Sequence, residues 1–220
     1  MWKRTKNFVL DILFPKTCLN CQRENYFLCP DCQALLEISG YHRRISTHYL
    51  QDLYIPLSLK NPLVKNMIQK FKCEPFVKEL AESLADLIIS YFQLMDTPQI
   101  QQKDNSVLIP VPLFKKRLKW RGFNQAEELA KKLSSSWEIP LLSDCLIKTK
   151  ETPNQKELTN EARKENVKGA FICPNPDKIS GKRILLIDDT YATGSTMEEC
   201  AVLLKKAGAR EIIGVAVAGD

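Results

Sequence analysis

A chain of 220 residues, 44% hydrophobic and 26% charged, has the make-up of one globular domain, or of one domain with a small appendage, and excludes wholesale disorder. Its formal charge of +6 and pI near 8.8 favour an anionic partner, nucleic acid or a phosphorylated metabolite. No apolar run approaches the ~18 residues of a spanning helix, and NFVLDILF (Asn7 to Phe14) is short, broken by Asp11 and followed by no small-residue cleavage site, so a cytosolic (cytoplasmic) protein without a membrane span is expected.

In chain order, residues 1 to about 40 form a small unit: an apolar-faced helix with Trp2, Phe8, Val9, Ile12 and Leu13, then Pro15, then CLNCQRENYFLCPDC. So little chain does not bury a core by itself. Residues 41 to 60 read as a linker followed by a strand. NPLVKNMIQKFK and PFVKELAESLADLIISYF repeat apolar residues at three- and four-residue spacing, the pattern of amphipathic helices, and the polar stretch from Gln93 to Ser106 is a loop. From there buried strands alternate with helices: strand Val107 to Pro112, helix Asn124 to Trp137, strand Arg183 to Asp188, helix Ser195 to Gly208, strand Glu211 to Ala218. Continuous apolar strands alternating with helices give an α/β fold, a parallel sheet covered on both faces, with domains expected at 1–40 and 41–220. In such folds ligands bind beyond the carboxyl ends of the strands. PLFKKRLKWRGFN and DDTYATGST occupy two of those ends, the first read as a basic turn.

Cys18, Cys21, Cys29 and Cys32 make two Cys-x-x-Cys pairs, each able to hold one side of a tetrahedral ion. Structural zinc is the favoured reading, with an iron–sulfur centre and a redox dithiol as alternatives. His42 and His48 are not needed as ligands, because four thiolates suffice. Cys73, Cys145, Cys173 and Cys200 are scattered singly.

The segment RILLIDDTYATGST (Arg183 to Thr196) has the apolar strand and acidic end of a P-loop ATPase's magnesium strand. The phosphate-cradling loop such a protein needs is absent: Gly181-Lys182 is followed by Arg183, and Pro176 stands where the first glycine belongs. Thr193, Gly194, Ser195 and Thr196 instead sit between a strand and a helix, where backbone N–H groups and hydroxyls surround a phosphate at the positive end of a helix dipole. Asp188 and Asp189 precede them by the distance of a sugar from its own 5′-phosphate, and carboxylates accept hydrogen bonds from vicinal hydroxyls.

ILLIDDTYATGST resembles the phosphoribosyl pyrophosphate (PRPP) motif of type I phosphoribosyltransferases. More narrowly, PVPLFKKRLKWRGFNQAEELA (Pro110 to Ala130), TPNQKELTNEARKENVKGAF (Thr152 to Phe171) and the cysteine pairs resemble the ComF/ComFC family, associated with DNA uptake in natural competence. The resemblance runs over essentially the whole chain. It implies a type I phosphoribosyltransferase fold with a four-cysteine zinc unit, PRPP and Mg²⁺ as ligands, and residues 188 to 196 (Asp188, Asp189, Thr190, Tyr191, Ala192, Thr193, Gly194, Ser195, Thr196) as the PRPP site, with Asp188 and Asp189 catalytic. The family has Val-Tyr-Thr after the two acids, whereas this chain has Thr190-Tyr191-Ala192, one hydroxyl fewer beside the phosphate loop.

By the same resemblance the turn after the Pro110–Pro112 strand holds pyrophosphate, with Arg117 and Arg121 as contacts, since the guanidinium fork matches phosphate oxygens. The alternatives are single-stranded nucleic acid, its bases stacked on Trp120 or Phe123 and its backbone tracked by Lys119 and its neighbours, and a solvated basic turn whose aromatics pack on the domain. The polar segment Glu151 to Asn166 matches the family's mobile loop, with Gln155 and Arg163 as the leading residues and Leu158 and Asn166 behind them. The sequence names no acceptor, and no residue is committed to activating one. Three functions follow: a PRPP-dependent transferase acting in competence; a non-catalytic competence factor that keeps the pocket and binds single-stranded DNA or a helicase; and a nucleobase-salvage enzyme.

Overall fold

The computed structural model describes residues 16–38, 41–43, 49–95, 103–152 and 165–220. The expected N-terminal helix lies outside the described residues. Two long strands, β7 (Arg183–Tyr191) and β8 (Glu211–Gly219), run parallel in register from Arg183 opposite Glu211 to Tyr191 opposite Gly219. β4 (Ser106–Pro110) lies parallel to β7 on one side, and β2 (Asp52–Ile55) parallel to β8 on the other. The short β3 (Leu57–Ser58) continues beside the end of β8, and β1 (Tyr41–Arg43) closes the edge antiparallel to β2, giving the order β1-β2-β8-β7-β4.

The run RILLID feeds two cores at once. Leu185 and Ile187 pack with α3 (Leu80–Leu94) and α5 (Gln125–Trp137), whereas Ile184 and Leu186 pack with α6 (Ser195–Lys206). The two-residue alternation of a strand thus becomes burial on both faces, which is why Ile184 to Ile187 are all apolar. The crossovers β4-α5-β7 and β7-α6-β8 lay helices on opposite faces of the sheet. Cys18, Leu28, Cys29, Cys32 and Leu36, around the short α1 (Pro30–Ala34), join the first of these cores with α2 (Pro62–Lys72) and α3. A smaller antiparallel pair, β5 (Ile147–Lys148) with β6 (Phe171–Ile172), completes the elements. Among the described residues, no helix is long and apolar enough to cross a membrane.

Two local expectations change. The second amphipathic helix begins at Leu80, five residues later than Pro75, because Phe76 has φ of 53°, outside the helical region. The basic turn contains a helix, α4 (Lys115–Arg121), ended by Gly122 at φ 83°, whose N–H donates to the Leu118 carbonyl. It buries no residue, so its sequence shows no apolar stripe.

Candidate functional site

The carboxyl ends of β4 and β7 open into a cleft of about 480 Å³, within the ordinary range for small-molecule sites. Its floor is residues 188 to 196. One wall carries Val111 to Leu113 with Arg117, Trp120 and Arg121 of α4, and Lys72, Gln125, Lys148 and Thr152 are also among the lining residues.

β7 continues past Asp188 to Tyr191 before the chain turns, so the two acids stand on the strand itself. The Asp189 N–H donates to Asp188 Oδ1 at 2.8 Å. Asp189 is buried and its Oδ1 meets Lys72 Nζ at 2.8 Å; the same ammonium donates to Thr190 Oγ1 at 2.5 Å, and that hydroxyl donates to Asp189 Oδ1 at 3.3 Å. Thr190, the departure from the family pattern, thus joins the carboxylate to the lysine. Burial at the cleft floor, reinforced by the Asp189 charge, pushes the Asp188 carboxyl up to about 8 against the pull of Lys72. Such a group contributes stability that is fully present below its unfolded value and lost as pH rises through the folded one. Urea denaturation should therefore give a midpoint that falls from about pH 4 to about pH 8, and falls less in Asp188→Asn.

The turn after β7 depends on Gly194, which has φ of 76° and precedes the first helical residue, Ser195. A Cβ at position 194 would stand 2.2 Å from the Tyr191 hydroxyl oxygen and 2.5 Å from the ring. Gly194→Ala should cost about 1–3 kcal/mol by urea denaturation, with Gly194→Ala in a Tyr191→Ala background losing less, since only the backbone strain then remains. No side chain caps α6, whose first residues Ser195 to Met197 line the cleft, and Thr193 Oγ1 and Ser195 Oγ lie 2.8 Å apart there.

On the opposite wall Asn124 is buried. Its Nδ2 donates to the Val111 carbonyl at 3.0 Å and its Oδ1 accepts from the Ala126 N–H, which fixes the start of α5 to the end of β4. Arg117 Nη2 donates to the Thr152 carbonyl at 3.0 Å. Arg121 Nη1 donates to Gln125 Oε1, and its buried Nε has no hydrogen-bond partner. Lys148 donates to Thr152 Oγ1 at 2.8 Å; burial, aided by Arg117, lowers its pKa.

The structure therefore brings the acidic pair, the small-residue turn, Arg117, Arg121 and Trp120 around one space. Lys119 is exposed on α4 and does not line it, and Phe123 is buried against Phe71, with ring centroids 5.7 Å apart, so it offers no face to a base. Trp120 is 61% exposed and packs edge-on against Phe76. Gln155, Leu158 and Arg163 lie outside the described residues; Asn166 is half-buried, with its Nδ2 unpaired. Sequence reasoning missed Lys72, which reaches the acids from 118 residues before Thr190, as well as Lys148 and Gln125. The only local signal for Lys72 was a cation at the polar end of an amphipathic helix.

The four N-terminal cysteine sulfurs all lie within 4.8 Å of one another, with Cys21 and Cys29 at 3.5 Å. Four sulfurs ~2.3 Å from one tetrahedral ion stand roughly 3.8 Å apart, so a metal such as zinc fits among them. The Cys29 N–H donates to Cys18 Sγ at 3.4 Å and Asn20 Nδ2 to Cys32 Sγ at 3.3 Å. Against burial, the amides of Cys21, Cys29 and Asn20 bring the Cys18 thiol down to about 6.

A phosphoribosyl transferase domain model matches residues 119–220, the span that carries α5, β7, α6 and β8. Competence protein F of Haemophilus influenzae is 31% identical over 212 residues, covering 89% of this chain and 86% of that protein. The chain belongs to the ComF family of competence proteins. DNA utilization protein YhgH of Escherichia coli O157:H7 is 33% identical, with 89% and 85% covered, and competence protein ComFC of Bacillus subtilis is 25% identical, with 87% and 72% covered. As in the phosphoribosyltransferase reading of the sequence, this ComF protein is α/β with a central parallel sheet, and it carries a four-cysteine cluster compatible with a zinc unit.

Proposed function

We propose that the cleft binds PRPP with Mg²⁺ and that this ComF protein works on, or with, DNA taken up during competence. The observation that carries the reading is the convergence in one cleft of adjacent carboxylates, an uncapped helix N-terminus and two arginines. Asp188 and Asp189 accept hydrogen bonds from the ribose hydroxyls, Thr193 to Thr196 hold the 5′-phosphate, and Arg117 and Arg121 hold the pyrophosphate. The unpaired Nε of Arg121 supports an anion at that wall. Mg²⁺ bound with PRPP would neutralise the diphosphate and make pyrophosphate a better leaving group. The acidic pair favours positive charge on the ribose, and the two walls hold the ring for attack at C1′. Zinc in the four-cysteine unit is structural, the protein is cytoplasmic, and residues 1–40 and 41–220 are its two domains.

Labelled PRPP incubated with the protein, Mg²⁺ and a base or single-stranded DNA should lose pyrophosphate only when the acceptor is present. No release with any acceptor defeats the transferase reading.

The exposed Trp120 on a helix with Lys115, Lys116 and Lys119 favours a second reading, a factor that binds single-stranded DNA without catalysis. DNA binding that is salt-sensitive, survives loss of both acids and fails in Trp120→Ala supports it.

A further inference from the structure

The last turn of α2 reaches both walls of the cleft through adjacent residues. The Phe71 carbonyl accepts from Gln125 Nε2 at 2.8 Å, which turns Gln125 Oε1 toward the Arg121 guanidinium. Lys72, the next residue, grips Asp189 and Thr190. The helix beneath is fixed: the Asn61 side chain caps it, and Val64, Met67, Ile68 and Phe71 are buried. Lys72 itself keeps 31% of its side chain exposed, against 9% for Asp189, so its four-carbon stem has room to swing while the carboxylate does not. An ammonium suits this, being a compact charge with rotatable donors rather than a rigid fork.

We propose that Lys72 is the positioning cation of the cleft, resting on Asp189 in the absence of ligand and passing to the ligand's phosphate when hydroxyls and a divalent cation arrive at the carboxylates. The inference rests on the PRPP reading. Two adjacent carboxylates at a cleft floor repel each other and attract any free divalent ion. With Lys72 on Asp189, a bare cation meets a pair whose charge the ammonium already offsets. A phosphate ester that carries its own cation offers the ammonium a new anion, so the exchange costs little charge separation. Lys72 thereby favours the metal-loaded ester over the metal alone.

The test is Mn²⁺ binding without PRPP, followed by electron paramagnetic resonance, in native protein, Lys72→Met and Lys72→Arg. Lys72→Met should bind bare Mn²⁺ at least about tenfold tighter than native, the scale on which one adjacent charge acts on a carboxylate, and Lys72→Arg should stay near native. In calorimetry Lys72→Met should bind PRPP with Mg²⁺ about tenfold more weakly. If Lys72→Met fails to fold, Lys72→Gln, which keeps a donor to Thr190 without the charge, carries the comparison. Equal Mn²⁺ affinity in the charged and uncharged forms overturns the proposal. Failure of native protein to bind PRPP would instead defeat the functional reading, and the Mn²⁺ arm would still decide the role of Lys72 at Asp189.

Discussion

Asp188→Ala with Asp189→Ala should abolish the PRPP binding proposed for the cleft while leaving the protein folded. A carboxylate that accepts from a ribose hydroxyl contributes about 1.5–3 kcal/mol and a neutral carboxyl about 0.5–1.5 kcal/mol, so losing both weakens binding by at least about 30-fold. The fold survives because the pair does not hold the sheet together. Burial pushes the Asp188 carboxyl up, which marks its ionised form as a cost to the native state. The interactions lost are one acceptor for the Asp189 N–H, the acceptor for the Thr190 hydroxyl, and the partner of Lys72, whose side chain is 31% exposed. Urea denaturation at neutral pH should place the double variant within about 1 kcal/mol of native. A double variant that binds PRPP normally would remove the acids from the site.

The second large effect concerns the cysteines. Cys29→Ser should release the metal and destabilise the chain by at least about 4 kcal/mol, seen as loss of one zinc per chain in elemental analysis and an early urea transition. The reason is placement. Cys18 and Cys29 are fully buried and Cys32 nearly so, and with Leu28 and Leu36 they belong to the core that contains α2, α3 and the inner face of the sheet. The four sulfurs lie within 4.8 Å of one another, and against the Asn20 amide, burial and the neighbouring cysteines together push Cys32 up to about 12. Removing one ligand leaves the other three without their shared partner. Ser134→Ala, on α5, is the control, and it should lose only the hydroxyl bond to the Ile139 carbonyl.

The strands and helices that bury a face were legible in the sequence, because burial leaves a period. Ile184 to Ile187 and Ile212 to Ala218 carry no polar side chain, which requires cover on both sides, and helices lie on both sides. α4 left no such trace, since a seven-residue helix that buries nothing has no stripe to read. The site divides in the same way. Asp188 to Thr196 were legible because a strand, a turn and a helix start are contiguous in the chain, and the cluster of Arg117, Trp120 and Arg121 announced itself by charge. Lys72 and Gln125 were not legible. Each looks like one more polar position on an amphipathic helix, and only the tertiary fold sets Lys72 on Asp189 and turns Gln125 between Phe71 and Arg121. Phe123 shows the converse: an aromatic between basic residues reads as a stacking platform until packing places it against Phe71.

Calorimetric titration of the native protein with PRPP in the presence of Mg²⁺ tests the central claim most directly. The expected result is one site per chain with Kd below about 1 mM, the usual range for metabolite sites, and competition by pyrophosphate. Absence of binding at millimolar PRPP, with single-stranded DNA still bound by the same preparation, would contradict it.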